Sequence, residues 1–225
     1  MTQPLDIYLL TIRGKLAPKT VAAARLVHNR TAGDPQSVAA ARSLGDLVHM
    51  VYIPAGQVGP ESGEFLILDQ WNNLDGINQF FANHAVQEQA AEIFNERDPV
   101  VWKPADGFIS YHFPAPAGKK DRIVAMVRGV VRSPAEAMQA HNALVSGVVK
   151  QTRAAGSMSH EAYFRMAAPG SPEALEFLAV DVWFDASGLQ KVYSDPNFMN
   201  GIMQMFTTQP TSSMWVEPAG EWVEW

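Results

Sequence analysis

Residues 42–52 read Arg42-Ser43-Leu44-Gly45-Asp46-Leu47-Val48-His49-Met50-Val51-Tyr52, and the frame Arg-x-x-Gly-x-x-x-His-x-x-Tyr returns as Arg153, Gly156, His160 and Tyr163. Its first half reads as a helix end: an arginine in the last turn meets the negative end of the helix dipole, and a glycine takes the turn that stops the helix. Its second half reads as a strand entered at once. Working outward, the same signals recur in the same order. Arg13-Gly14 is answered by Arg128-Gly129, His28-Asn29 by His141-Asn142, Glu64-Phe65-Leu66 by Glu176-Phe177-Leu178, and Asp69-x-Trp71 by Asp181-x-Trp183. Near the end of each copy, Trp102 with Pro104 and Ala105 is matched by Trp215 with Pro218 and Ala219. Solenoid repeats run roughly 20 to 50 residues, so a period this long predicts two tandem domains.

Each half of the 225 residues is near the common size of a domain. A hydrophobic fraction of 47% with 18% charged residues belongs to a folded globular chain. Lys and Arg number 17 against 23 Asp and Glu, a formal charge of −6, and the basic residues are scattered without an aromatic-interleaved stripe. Nucleic acid is therefore not an expected partner. With no cysteine, disulfides, thiolate metal sites and cysteine nucleophiles are excluded. Met1 to Leu10 does not read as a secretion signal, and no apolar run reaches the roughly 20 residues of a membrane helix. The expectation is a cytoplasmic protein.

Each copy opens on an apolar run with strand character, Ile7 to Ile12 and Ile123 to Val131. In the second copy Ser133-Pro134-Ala135-Glu136 signals a helix start, and the helix is expected to run to about Ala155, with Gly156 as its terminator. The first copy differs. Its helix begins near Thr20, is interrupted at Thr31 to Pro35, and resumes to Gly45. His28 and His49 are 21 positions apart, and His141 and His160 are 19 apart, which places a two-residue insertion at that break. A strand with His49 or His160 follows, then a Gly/Pro-rich loop (Pro54 to Gly63; Pro169 to Pro172). A third strand (Phe65 to Trp71; Phe177 to Trp183) leads to a helix broken at Asn83-His84 or Ser194-Asp195-Pro196. A short strand surrounds Trp102 or Trp215. Pro104 to Lys120 reads as a semi-rigid linker.

The order is βαββαβ, an α+β ferredoxin-like arrangement in which both helices cover one sheet face. Two such modules, residues 1–110 and 119–225 joined by 111–118, are expected to pack bare face to bare face within one chain. The whole would be a pseudo-dimer that stays monomeric or pairs again as a homodimer.

The strand ending in Trp71 or Trp183, followed by Phe80-Phe81 and His84 or by Tyr193 and Asp195-Pro196-Asn197-Phe198, resembles a segment of the dimeric α/β-barrel superfamily. That superfamily includes antibiotic-biosynthesis-type monooxygenases and stress-responsive barrel proteins. The resemblance implies a polar pocket between helices and sheet that holds a polycyclic phenol, or haem in the haem-degrading branch. It places Trp71 and Trp183 at the family tryptophan and His84 near a family histidine. The first strand lacks the asparagine of the haem-degrading branch.

Among the six histidines, His141 has only apolar neighbours one helical turn away (Ala137, Met138, Leu144, Val145), so it faces the sheet. A buried histidine bonded to a backbone carbonyl is one reading of His28 and His141; a cavity-lining acid or base is the other. His49 and His160 point opposite to Tyr52 and Tyr163, and which pair looks toward the helices is left open. The site expected from these residues has His28, His49, His141 and His160 as proton-transfer groups. Trp71, Trp183, Tyr52, Tyr163 and His84 are its ligand-binding residues. The histidine spacings match no compact metal motif, and no glycine-rich phosphate turn is present, so neither metal nor cofactor is expected. Haem, with His84 as axial ligand, is the alternative. Two functions fit: a cofactor-independent monooxygenase acting on a bulky aromatic molecule, or a non-catalytic small-molecule-binding protein. The extra break and the additional His84 make the first copy the favoured one.

Overall fold

The computed structural model describes residues 7–56, 63–118 and 121–225. The chain forms two compact units, Met1–Lys103 with Glu217–Trp225, and Pro104–Val216. This corrects the expected boundaries: residues 104–118 belong to the second unit, and the last nine residues return to the first.

The first unit runs β1 (Tyr8–Leu16), α1 (Val21–Arg30), α2 (Pro35–Ser43), β2 (Asp46–Pro54), β3 (Glu64–Trp71), α3 (Leu74–Ala82), α4 (His84–Ile93) and β4 (Phe94–Pro104). Its sheet order is β4-β1-β3-β2, all antiparallel. The caps explain the helix boundaries. Thr20 Oγ1 accepts from the Ala23 amide, and the Asp34 carboxylate accepts from Gln36 and Ser37, with Pro35 at the first helical position. Asn83 ends α3 and caps α4. The first strand extends past Ile12 to Leu16, and the last spans 11 residues rather than a short stretch, because the two pair along their length.

The second unit runs β5 (Tyr111–His112), β6 (Ile123–Val130), α5 (Pro134–Ala154), β7 (Ser157–Arg165), a 3-10 turn (Pro172–Leu175), β8 (Glu176–Trp183), α6 (Ala186–Tyr193), α7 (Pro196–Met203) and β9 (Thr211–Val216). Its order is β9-β6-β8-β7-β5. Ser133 caps α5 through the Glu136 amide as expected. The expected linker is not a spacer, since Tyr111 and His112 pair with His160 and Ser159 on the edge of β7. Part of the Gly/Pro-rich loop between β2 and β3, and Lys119–Lys120, lie outside the described residues.

In each unit one sheet face meets the helices. Leu10, Ile12, Val51, Phe65, Ile67 and Trp71 pack with Ala24, Ala41, Ile77 and Ile93. In the second, Val127, Ala162, Phe164, Phe177 and Ala179 pack with Ala137, Ile202 and Met205. No helix among the described residues is long and apolar enough to cross a membrane.

The turn into β2 or β7 sets the register of the site. Gly45 and Gly156 adopt φ of +106° and +108°, open to glycine at little cost. Gly76 and Gly188, early in α3 and α6, lie against the carbonyl before each turn: a Cβ would come within 1.8 Å of Leu44 O and 1.7 Å of Ala155 O. Gly76→Ala and Gly188→Ala should each lower stability by about 2–3 kcal/mol, because backbone must move. Gly147→Ala, exposed in α5 with open space around it, should raise stability by about 0.5–1 kcal/mol. Urea unfolding midpoints of the three variants check both signs.

Candidate functional site

The β2–β3 ladder places His49 directly across from Asp69, and the β7–β8 ladder places His160 across from Asp181. His49 Nδ1 lies 2.7 Å from Asp69 Oδ1 and His160 Nδ1 2.8 Å from Asp181 Oδ1. From the covering helix, His28 Nε2 comes within 2.9 Å of His49 Nε2, and His141 Nε2 within 2.8 Å of His160 Nε2. All four histidines are buried, between 0% and 7% exposed. The histidines therefore face the helices, and neither helical histidine bonds a backbone carbonyl through its ring.

The proton positions follow from the last member of each chain. Asn29 Oδ1 accepts the Val223 amide at 3.0 Å, and its Nδ2 donates to Glu221 O at 2.9 Å, so the amide's orientation is set. His28 Nδ1, 3.1 Å from that oxygen, must then carry a proton. Burial, and next the neighbouring His49, depress the His28 pKa to about 4, so the ring is neutral at pH 7 and its Nε2 accepts from His49 Nε2–H. His49 Nδ1 is then left facing Asp69 Oδ1. The second unit repeats this. Asn142 accepts from the Ile109 amide (2.9 Å) and donates to Gly107 O (2.8 Å); His141 Nδ1 is 3.0 Å from its oxygen, and burial lowers the His141 pKa to about 4.

Both chains are roofed by equivalent segments. Pro104-Ala105-x-x-Phe108-Ile109-x-Tyr111 covers the second, and Pro218-Ala219-x-x-Trp222-Val223-x-Trp225 covers the first. Trp222 lies 5.2 Å from His28, and Trp225 stacks on His49 at 4.4 Å. Phe108 and Tyr111 stand 4.9 and 5.6 Å from His141 and His160. His49 and Trp225 also exchange backbone hydrogen bonds, at 2.8 and 3.2 Å.

The carboxylate end of each chain opens on a cavity. The first, about 590 Å³ including its mouth, is walled by Phe80, Phe81, Ile93 and Phe94 and has Asp46, His49, Asp69 and Trp225 at its polar end. The second, about 540 Å³, includes Tyr111, His160, Asp181, Trp183, Tyr193 and Met205. Their polar ends differ. In the second, Tyr193 donates to Asp181 Oδ2 (2.7 Å), and the Tyr111 hydroxyl bonds Ser157 (3.0 Å) and Thr152 (3.3 Å). In the first, Phe81 stands where Tyr193 does and Asp46 where Ser157 does. Asp46 is 4% exposed, and its Oδ1 has no hydrogen-bond partner among the described residues. Burial, then the nearby Asp69 carboxylate, push the Asp46 pKa up to about 8; Trp225, the Val48 amide and Arg42 pull it partway back.

Several expected residues sit elsewhere. Tyr52 and Tyr163 project from the opposite sheet face and do not line the cavities, because strand alternation separates them from the histidines. Tyr52 lies near Met50 Sδ, and Tyr163 donates to Glu161. Trp71 is behind the wall, against Phe80 and Phe81, whereas Trp183 does line its cavity. His84 opens α4 on the surface with its side chain 87% exposed, beside Glu88. The residues do not fit haem: His84 is outside the cavity, and each buried histidine has both ring nitrogens engaged. Among the described residues no group of three or more His, Asp or Glu could hold a metal ion. Asn29, Asn142, Asp69 and Asp181 were visible as repeated positions but had no assigned role. The roof residues were missed, although continuing the Pro-Ala match to Phe108/Trp222, Ile109/Val223 and Tyr111/Trp225 finds them.

These shifts set a pH dependence. The unfolded chain protonates His28 and His141 near 6.5 and the folded chain near 4. Each histidine thus costs up to about 3 kcal/mol of stability as pH falls through that window. Asp46 has the opposite sign: folded, it keeps its proton to about 8, so stability declines as pH rises from 3.8 toward 8. Two histidines outweigh one carboxyl below 6.5, and the carboxyl acts alone above it. Denaturation midpoints from pH 5 to 9 should peak near 6.5, and Asp46→Asn should flatten the alkaline side and steepen the acid side.

No protein-family model matches the sequence, and no curated protein does. Solved structures do. An anthrone oxidase-like protein matches with TM-score 0.64 at 14% identity, over 98% of this chain and 94% of its own. A monooxygenase-like protein from Listeria innocua matches at 0.52 and 11%, over 96% of each chain. A ferredoxin-fold protein from Listeria monocytogenes related to antibiotic biosynthesis monooxygenases matches at 0.50 and 10%, also over 96% of each. The chain therefore shares, along nearly its whole length, the ferredoxin-like fold of these monooxygenase-type structures.

Proposed function

We propose that this chain is a cofactor-independent monooxygenase that takes a bulky aromatic or polycyclic molecule into the cavity of the first unit. The observation that carries the reading is the buried Asn–His–His–Asp chain whose carboxylate end opens on an apolar cavity. The phenylalanine walls of the cavity suit the faces of a flat ring system. The likeness to a protein described as anthrone oxidase-like points to the same ligand class.

The chemistry needs a substrate whose CH₂ is acidified by flanking aromatic or carbonyl groups. The Asp69–His49 pair takes one proton, and the resulting carbanion reacts with dioxygen at carbon to give a hydroperoxide. Loss of the second C–H proton with O–O cleavage leaves a ketone and one water, so that CH₂ and O₂ become C=O and H₂O. His49 and Asp69 line the cavity and can touch substrate; His28 and Asn29 do not, and they position His49. Asp181, already bonded by Tyr193, is less available, which makes the first unit the active one. That same saturation favours a second reading for the other cavity, binding without chemistry.

Oxygen uptake with a panel of anthrones, phenols and quinols tests the proposal. His49→Gln and Asp69→Asn should each lower turnover by about 100-fold or more. His28→Gln should cost about tenfold through misplacement of His49. Ligand binding with no oxygen uptake by the unmodified protein would establish the binding protein instead.

A further inference from the structure

The first cavity contains two buried polar groups that lack partners and stand side by side. Asp46 Oδ1 has no hydrogen bond, and neither has Trp225 Nε1, among the described residues. Both residues line the cavity, and the indole is close enough to Asp46 to act on its carboxyl. A buried polar atom without a partner is unfavourable, so two of them in one wall favour a ligand atom that serves both.

The second unit is an internal control. The residues at the equivalent positions, Ser157 and Tyr111, bond each other at 3.0 Å, with Thr152 as a further partner. There the pair is closed. In the first unit a carboxyl replaces the serine hydroxyl and an indole the phenol, and the pair is left open toward the cavity.

We propose that Asp46 and Trp225 form a two-donor site for the carbonyl oxygen of a keto–enol aromatic ligand, and that this site holds the oxygen when the ligand loses its proton and becomes an enolate. This rests on the oxygenase reading and names the group the ligand must carry. The indole N–H can only donate. The Asp46 carboxyl donates when protonated, the form that its burial and the adjacent Asp69 favour at neutral pH. Such a neutral acid in an apolar site stabilises an oxyanion, because the donor is aimed before charge develops. The charged groups facing Asp46 are Asp69 from β3, Arg42 from α2 and the Asp69-bound His49 on its own strand. Arg97 of β4, bonded to Gln87, adds positive charge to the cavity wall. The proton leaves carbon toward the Asp69–His49 pair, the C–H electrons pass onto the oxygen, and no oxidant takes part in this step.

The probe is a hydroxylated tricyclic anthrone, whose keto and enolate forms differ in visible absorption, titrated anaerobically onto the full chain across pH 6–9. The unmodified protein should raise the enolate-to-keto ratio of bound probe about tenfold or more over free probe, the effect of one well-placed charge-assisted hydrogen bond. Asp46→Ala and Trp225→Phe should each reduce that ratio about tenfold, and Asp46→Asn, which keeps an N–H donor, should recover most of it. Arg132→Gln, on the exposed surface of the second unit away from its cavity, should leave it unchanged. Circular dichroism shows which variants fold. If Asp46→Ala does not, Trp225→Phe and Asp46→Asn still decide. A ratio unaltered in Trp225→Phe, an equal loss in Arg132→Gln, or no bound probe would overturn the proposal. If enolate forms but admitting air gives no oxygen uptake, the oxygenase reading fails and this site stands.

Discussion

The constraint on which this protein turns is a pair of imidazoles forced together with no water between them. Two histidines 2.9 or 2.8 Å apart through their Nε2 atoms can share only one proton there. One ring must therefore be neutral and correctly tautomeric, and all remaining ring nitrogens must find partners, since a half-satisfied buried network is worse than none. Asparagine supplies one end and aspartate the other. The asparagine works because two backbone groups of the roof segment hold its amide in one orientation. The aspartate works because strand register puts it opposite the sheet histidine. The roof, the ladder and the helix are thus held in mutual position by one chain of four side chains.

Because the demand is so strict, the frame is the same in both units, and divergence is confined to the carboxylate end. Phe81 in place of Tyr193 removes a donor to the aspartate, and Asp46 in place of Ser157 adds a second carboxyl beside it. Trp225 in place of Tyr111 exchanges a hydroxyl that can bond its neighbour for an indole that does not. In one unit the polar end is saturated from within; in the other it has spare capacity facing an apolar cavity. A carboxyl that holds its proton to about pH 8 is the electrostatic result of placing two acids in a poorly solvated site.

Much of this could be read from local pattern. Glycine and arginine at the helix end, caps such as Ser133 and Asp34, and strand runs at repeated offsets depend on neighbouring residues, which is why element order and the ferredoxin-like fold emerged from sequence alone. The helical histidines were also legible as inward-facing, since His141 has apolar neighbours one turn away. His84 and Tyr52 were misplaced for a related reason: family position and strand membership do not say which surface a side chain meets.

What tertiary structure alone decided is which distant residues close on each other. Asp69 reaches His49 only through the β2–β3 register, and Asn29 is oriented by Glu221 and Val223, 192 and 194 positions further along the chain. A segment that reads as a proline-rich linker proves to be the roof of one site, and the matching C-terminal segment the roof of the other. Periodicity carries information about faces over a few turns or a few strand residues. It carries none about the partner that a long return of the chain brings to a buried polar group, and the chemistry of this protein lies in those partners.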